Sequence, residues 1–291
     1  METSELIKKV RKIEIKTRGI TKQLFSGEYH SAFKGRGMAF SEVREYFPGD
    51  DIRSIDWNVT ARYAEPYVKV FEEERELTVV LLVDISASQS FGTQLQYKKD
   101  LVTELCAVLA FSAIQNNDKI GLILFSDIIE KFIPPKKGKT HALRIIRELL
   151  EFKPSGLKTD INLALRYLTN VLKKRSIVFV VSDFLTENYE ASLKIAAKKH
   201  DTVAIQIYDK SEAELPKVGL IRVFDAETGK HQWVDTASKK YRENYNDWWD
   251  TNQKSLNIIL NRNKVDLIKI RTDESYIAPL QNFFKKRENK R

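Results

Sequence analysis

Two apolar runs in the middle of the chain each lead into an aspartate, and they constrain the fold more than any other feature. Residues 79–83 are Val-Val-Leu-Leu-Val and precede Asp84, whereas residues 176–182 are Ser-Ile-Val-Phe-Val-Val-Ser and precede Asp183. Short apolar runs without polar alternation are typical of strands buried on both faces of a sheet. Strand and helix patterns alternate elsewhere, so we expect an α/β fold with a doubly wound, mostly parallel sheet and helices on both faces.

The remaining elements follow from the spacing of the apolar residues. Residues 128–133 are expected to fold back as an antiparallel edge strand that Pro134 and Pro135 terminate. A Glu-Thr-Gly turn between residues 221–224 and 232–234 predicts a β-hairpin insertion. The other predicted strands are 118–125, 202–207 and 265–270, and the predicted helices are 95–116, 139–152, 159–174, 187–199, 238–262 and one that starts near 276.

Hydroxyl and carboxylate side chains follow the first apolar run at alternate positions. Asp84, Ser86 and Ser88 can converge on one cation, because side chains of an extended segment alternate between its two faces. Oxygen ligands with a single charge suit Mg²⁺ or Mn²⁺ better than zinc. The same residue types are also common at helix N-termini, so the pattern alone leaves a simple helix cap open.

Two later positions favour the metal interpretation. Thr159 follows a loop that contains Gly156, and Asp183 follows the second buried strand. In open α/β sheets the functional crevice lies at the carboxyl ends of the strands, so these side chains are expected to meet Asp84 there. Asp160 is expected to serve the first turn of a helix rather than a metal.

The order Asp-x-Ser-x-Ser, then Thr, then Asp resembles the metal-ion-dependent adhesion site of von Willebrand factor A domains. This resemblance implies a bound Mg²⁺ or Mn²⁺ and a protein partner whose acidic side chain completes the coordination sphere. Lys158 stands where small residues are common in that family, and its charge would lower the affinity for a cation. The implied metal ligands are Asp84, Ser86 and Ser88 in the first loop, Thr159 in the second and Asp183 in the third.

A second signature lies upstream, where Gly, Pro, Asp, Trp and charged residues are dense between Gly35 and Trp57. It is similar to the segment that precedes a von Willebrand A-like domain in the bacterial domain of unknown function family 58, and the similarity extends over roughly residues 27 to 287. The resemblance implies an adaptor that works with a MoxR-type AAA+ ATPase in complex assembly, metal insertion or envelope stress.

The same signature is the expected site of partner docking, through Arg36, Arg53, Asp56 and Trp57. The alternative is that Trp57 and Phe40 only anchor the N-terminal segment onto the main domain. We expect a family-specific segment at 1–76 that packs on the main domain, a von Willebrand A-like domain at 77–287 with its hairpin insertion near 220–235, and a basic tail at 288–291.

Charge and composition limit the other function classes. The chain of 291 residues has a net charge of +9, and residues 1–24 and 281–291 together carry eight of these positive charges. A nucleic-acid-binding face on the folded domain is therefore not indicated. Three roles are left for the basic ends: they are solvated tails, they contact RNA, or they contact acidic lipids of the inner membrane.

Enzyme signatures are absent from the sequence. It lacks Gly-x-Ser-x-Gly, His-Glu-x-x-His and paired cysteines, and its four histidines are scattered. We therefore expect a non-enzymatic protein, with a metal-dependent hydrolase as the less favoured alternative. A single cysteine and the lack of a long apolar segment lead us to expect a cytoplasmic location. Peripheral contact with the inner membrane is the alternative.

Overall fold

The computed structural model describes residues 10–17, 38–73, 76–86, 98–156, 158–224 and 231–289, without the side chains of 38–41, 71–73 and 224. The chain divides into two compact units. One comprises Phe33–Leu77, and the other comprises Met1–Ala32 together with Thr78–Arg291. The N-terminal part of the chain thus contributes to both units.

The larger unit is built on a six-stranded sheet. Its strands are β3 (Thr78–Asp84), β4 (Lys119–Phe125), β5 (Ile129–Lys136), β6 (Ile177–Ser182), β7 (Asp201–Tyr208) and β10 (Asp266–Arg271). They have the spatial order β10-β7-β6-β3-β4-β5 and pair in parallel, except that β5 runs antiparallel to β4 at the edge. This confirms the predicted doubly wound α/β fold with one antiparallel edge strand.

Helices cover the sheet because its strands are apolar on both faces. Residues 10–17 are also helical and are designated α1. The other helices of this unit are α3 (Lys98–Gln115), α4 (Lys139–Glu151), α5 (Ile161–Val171), α6 (Glu190–Lys199), α7 (Lys210–Ala213), α8 (Lys239–Arg262) and α9 (Ile277–Asn289). Apart from the short α7, for which the sequence predicts no helix, their positions agree with the predicted helices to within a few residues at each end.

The two faces of β3 contribute to different parts of the core. Val80 and Leu82 lie in one cluster with apolar residues of α5, α6 and the C-terminal half of α8. Val79 and Leu81 alternate with them and are equally buried, so they serve the opposite face. Helix α3 is buried along most of its length. It forms a small cluster with α4 and α1 that contains Ala107, Phe111, Ile146, Val10 and Ile13.

The edge strand β5 is longer than the sequence predicts. It continues through Pro134 and Pro135 to Lys136, so the prediction that the prolines terminate it is wrong. An edge strand tolerates prolines because some of its backbone N–H groups have no partner strand to bond. Pro135 also packs over Gly121 of β4, where an added Cβ would lie 2.9 Å from the proline ring.

Two short two-stranded sheets complete the described structure. In the smaller unit, β1 (Met38–Glu45) pairs with β2 (Tyr67–Glu73), and a 3₁₀ turn and helix α2 (Trp57–Tyr63) lie between them. In the larger unit, β8 (Leu220–Phe224) and β9 (His231–Asp235) form the predicted hairpin. Among the described residues, no helix has both the length and the hydropathy needed to cross a membrane.

His200, at the junction of α6 and β7, gives the fold a defined sensitivity to acid. Burial lowers the pKa of this histidine to about 4, and the charges of Lys199 and Arg175 act in the same direction. The unfolded chain binds a proton at the ordinary pKa of about 6.5. The stabilisation from neutral His200 is therefore complete above that pH and is lost as the pH falls toward 4.

We predict that His200→Gln flattens the stability profile over this window. Relative to pH 7, the wild type should lose about 1–3 kcal/mol more than the variant by pH 4.5. Urea denaturation at the two pH values measures the difference. His231→Gln, on the exposed hairpin, is the control and should leave the profile unchanged. Equal acid sensitivity of wild type and His200→Gln would contradict the assignment.

Candidate metal and partner-binding site

The parallel pairing of β3 with β6 brings two buried carboxylates to the same edge of the sheet. Asp84 is the last residue of β3, and Asp183 directly follows β6. Thr159 reaches the same edge from the loop between α4 and α5. We name Asp84, Ser86, Thr159 and Asp183 the carboxylate–hydroxyl cluster, and Ser88, the fifth predicted ligand, lies outside the described residues.

Hydrogen bonds connect three members of this cluster, Asp84, Ser86 and Thr159. Thr159 Oγ1 donates to Ser86 Oγ at 2.8 Å and lies 3.4 Å from Asp84 Oδ2. Asp84 also accepts hydrogen bonds from the Ser86 backbone N–H at 2.9 Å and from Ser182 Oγ at 2.7 Å. Asp183 accepts from the Leu185 N–H at 3.2 Å. The predicted ligands that the structure describes are thus gathered at one place.

The cluster carries unfavourable negative charge. Asp84 and Asp183 are only 1% and 4% exposed. Burial raises the pKa of Asp84 well above its ordinary value, and the negative charge of Asp183 raises it further. The hydrogen bonds from Ser182 and Ser86 oppose this shift without cancelling it. A positive charge placed between the carboxylates would lower the free-energy cost of ionising them.

One positive charge is already present, and it comes from an unexpected residue. Lys98, at the start of α3, is fully buried, and its Nζ lies 2.5 Å from Glu212 Oε1 and 3.8 Å from Asp183 Oδ2. Burial raises the pKa of Glu212, and the ammonium of Lys98 opposes that shift. Lys158, which the sequence suggests as the nearby cation, is exposed.

Charge and donor chemistry together test whether a divalent cation fits. Asp84, Asp183 and Glu212 supply three negative charges and Lys98 one positive charge, so the assembly lacks two positive charges when all four are ionised. Within the described residues, no group of three or more His, Cys, Asp or Glu side chains is placed to hold a metal. A cation here would rely on hydroxyl oxygens beside two carboxylates, which suits a hard ion such as Mg²⁺.

The loop that carries Thr159 is held by Glu130 of β5. Its Oε1 accepts hydrogen bonds from Ser126 Oγ at 2.9 Å, from the Ser155 N–H at 2.7 Å and from the Gly156 N–H at 2.9 Å. A Cβ at Gly156 would collide with the Asp127 carboxylate and the Ser126 hydroxyl, so a larger residue at this position would require both side chains to move. Further along, Asp160 is the N-cap of α5 and accepts from the Leu163 N–H at 2.8 Å.

The residues of the smaller unit that the sequence predicts for partner docking do not belong to the buried carboxylate–hydroxyl cluster. Asp56 caps α2 through the N–H groups of Asn58 and Val59, and its carboxylate lies 3.4 Å from Lys69 Nζ. Arg53 is exposed, and Trp57 is 69% exposed. The alternative in which Trp57 and Phe40 anchor the segment onto the main domain stays a prediction. Arg36 lies outside the described residues, as does the side chain of Phe40.

Four residues of the site were missed from the sequence: Ser182, Lys98, Glu212 and Glu130. For two of them, the sequence contains a pattern that indicates their position. Ser182 directly precedes Asp183, and Asp209-x-x-Glu212 has the spacing of a capping box after a strand, which α7 indeed forms. No sequence pattern indicates Lys98 or Glu130, because their roles depend on contacts between elements that are distant in sequence.

The comparisons with known proteins identify the family. Residues 42–255 match the family described as "Protein of unknown function DUF58". The chain belongs to this family. Proteins named only as uncharacterized, Mb1516 of Mycobacterium bovis and Rv1480 of Mycobacterium tuberculosis, are each 30% identical over 232 residues, which cover 79% of this chain and 73% of theirs.

A solved structure supports the fold. The conserved hypothetical protein BatB from Bacteroides thetaiotaomicron aligns with a TM-score of 0.50 at 16% identity, over 73% of this chain and 99% of that one. Together with the strand order and the antiparallel edge strand, this agrees with the von Willebrand A-like fold that the DUF58 signature implies. The fold places the cluster at the carboxyl ends of β3 and β6.

We predict that Asp84→Asn stabilises the metal-free protein. The amide keeps an acceptor for the Ser86 N–H and removes a buried negative charge, so the free energy of unfolding in EDTA at pH 7.5 should rise by about 1–3 kcal/mol. The wild type, but not the variant, should gain stability from 10 mM Mg²⁺. Chemical denaturation in both buffers measures this, and a variant less stable than wild type in EDTA would refute the electrostatic account.

We further predict that Lys98 weakens cation binding. Removing its ammonium should tighten Mn²⁺ binding by about tenfold or more, because a positive charge near 4 Å from Asp183 opposes a second one. Isothermal titration calorimetry of Lys98→Met measures this. The double variant Lys98→Met/Glu212→Gln avoids a buried unpaired carboxylate and serves as the folded control. Unchanged Mn²⁺ affinity in both variants would show that Lys98 does not compete with the cation.

Proposed function

We propose that this DUF58 protein is a metal-dependent protein-interaction module without enzymatic activity. The observation that carries the proposal is the convergence of Asp84, Ser86, Thr159 and Asp183 at the carboxyl edge of the sheet. Two carboxylates and two hydroxyls with a deficit of positive charge favour a hard divalent cation over a reacting substrate.

The four cluster residues, with Ser88, would hold Mg²⁺ or Mn²⁺. When bound, such an ion supplies a coordination position for an oxygen from another molecule. The protein's own side chains then set the charge and orientation of that position. Ser182 orients Asp84, and Glu130 fixes the loop that carries Thr159.

The partner is proposed to be a protein that offers an acidic side chain. A carboxylate is the natural complement to a cation held by few charged ligands. The physiological setting that we infer is an adaptor for a MoxR-type AAA+ ATPase, acting in the cytoplasm in complex assembly, metal insertion or envelope stress. Exposed Trp57 and Arg53 offer a second surface, on the smaller unit, for the ATPase.

Two observations weigh against the other function classes. A hydrolase needs a general base near the metal, and none of the described histidines belongs to the cluster: His141 bonds the backbone of Ile120, His200 is buried beside α6, and His231 lies on the hairpin. A nucleic-acid-binding role would use the basic ends, but Lys16 pairs with Glu104. Arg287 pairs with Asp201 and Asp266. These ion pairs reduce the charge available to a polyanion.

The proposal predicts metal-dependent capture of a defined partner set from native cells. Intact bait in Mg²⁺ should retain proteins, including an AAA+ ATPase or its client, that Asp84→Ala and EDTA both release. Quantitative mass spectrometry of the three eluates measures the difference.

A matched control is Asp250→Ala, which removes an exposed carboxylate from α8. It should behave as the intact bait does. If the same proteins are retained by intact bait, by Asp84→Ala and in EDTA, the cluster is structural. The exposed residues of the smaller unit then become the better docking candidate.

A further inference from the structure

A small apolar pocket opens directly beside the carboxylate–hydroxyl cluster. Its volume is about 50 Å³, and Asp84 and Ser86 form one end of its lining. The other walls come from α3, from α4 and from the segment that follows α4, and they include Val102, Leu149, Phe152 and Pro154. The cluster and the pocket thus share two residues.

Two polar side chains on the described part of the pocket wall, Thr103 and Lys99, are already satisfied within the protein. Thr103 Oγ1 donates to the Lys99 carbonyl at 2.8 Å, and Lys99 Nζ donates to the Phe152 carbonyl at 3.1 Å. The surface left for a ligand is therefore mainly hydrocarbon. Val102 and Leu149 are only 4% and 3% exposed, so their positions are fixed by the core.

The volume decides which group fits. A single water needs roughly 10–15 Å³ of such space, and an engineered cavity of about 150 Å³ holds a benzene ring. A pocket of about 50 Å³ lies between these values. This volume suits a branched aliphatic side chain of three or four carbons better than an aromatic ring.

We propose that this pocket is a specificity site that receives an aliphatic side chain, Val, Ile or Leu, next to the partner's acidic metal ligand. The inference rests on the proposed function, because the acidic residue at the cluster brings its neighbour to the pocket. Consecutive Cα atoms are about 3.8 Å apart, so a residue one or two positions from the acid can reach a cavity that shares Asp84 and Ser86 with the metal site. The ligand class is therefore an acidic residue flanked by a branched aliphatic one.

The test is a selection from a displayed library of random peptides. The full chain is immobilised in Mg²⁺, and bound peptides are eluted with EDTA and sequenced. Eluted peptides should carry Asp or Glu with Val, Ile or Leu within two positions. Replacing that aliphatic residue by Ala in a synthetic peptide should weaken binding by about tenfold.

Phe152→Ala tests the pocket itself, because it enlarges the cavity and should shift the selected neighbour toward Phe, Tyr or Trp. Phe132→Ala is the matched control. It truncates another partly buried phenylalanine, which packs with Tyr167 against the core cluster that contains Val80 and Leu82, and it should leave the preference unchanged. A shift in side-chain size is a result that a merely destabilised protein would not give.

Each outcome is decisive. Acidic, EDTA-eluted peptides without an aliphatic preference would overturn the pocket assignment and leave the proposed function intact. An aliphatic preference that Phe152→Ala and Phe132→Ala alter equally would overturn the pocket assignment in the same way. If no peptide depends on Mg²⁺, the proposed function fails and the pocket inference fails with it.

Discussion

The structure of the site depends on the parallel pairing of β3 with β6. This pairing buries two strands that end at the same edge, so it forces Asp84 and Asp183 to share a volume from which water is largely excluded. Burial and the nearby charge of Asp183 raise the free-energy cost of ionising Asp84. Neighbouring groups partly offset this cost. The hydroxyls of Ser182 and Thr159 lie against Asp84, and the ammonium of Lys98 lies near Asp183.

Lys98 connects this edge to the segment that follows β7. Its ammonium lies between Asp183 and Glu212, and Glu212 closes the capping box of α7 by accepting a hydrogen bond from the Asp209 N–H. Asp209 in turn accepts from Thr272, just after β10, at 2.6 Å. The carboxyl ends of three strands, β6, β7 and β10, are therefore linked through one buried lysine and two acidic residues.

The sequence predicted the part of this arrangement that is local. A buried strand that ends in Asp84 and Ser86 can be recognised within ten residues, because the apolar run and the hydroxyl spacing are both short-range patterns. The mostly parallel sheet with one antiparallel edge strand followed from alternating strands and helices. The predicted end of β5 was wrong, since the rule that prolines stop strands is relaxed at an edge. The contributions of Lys98, Glu130 and the apolar pocket could not be predicted, because each depends on elements more than 25 positions apart that meet only in the folded chain.

This division between local and non-local determinants bears on how the module is expected to discriminate partners. The cation site alone would accept any accessible carboxylate, and carboxylates cover the surfaces of most proteins. In the proposed function, selectivity would have to come from neighbouring features, and here these are the charge of Lys98 and the apolar walls around Val102 and Phe152. Lys98 would keep the cluster from binding a cation too tightly without a ligand, and the pocket would add binding energy only for a ligand with the right neighbour. Weak binding of each component and stronger binding of the pair is the behaviour that the proposed adaptor would need to release one client before it engages the next.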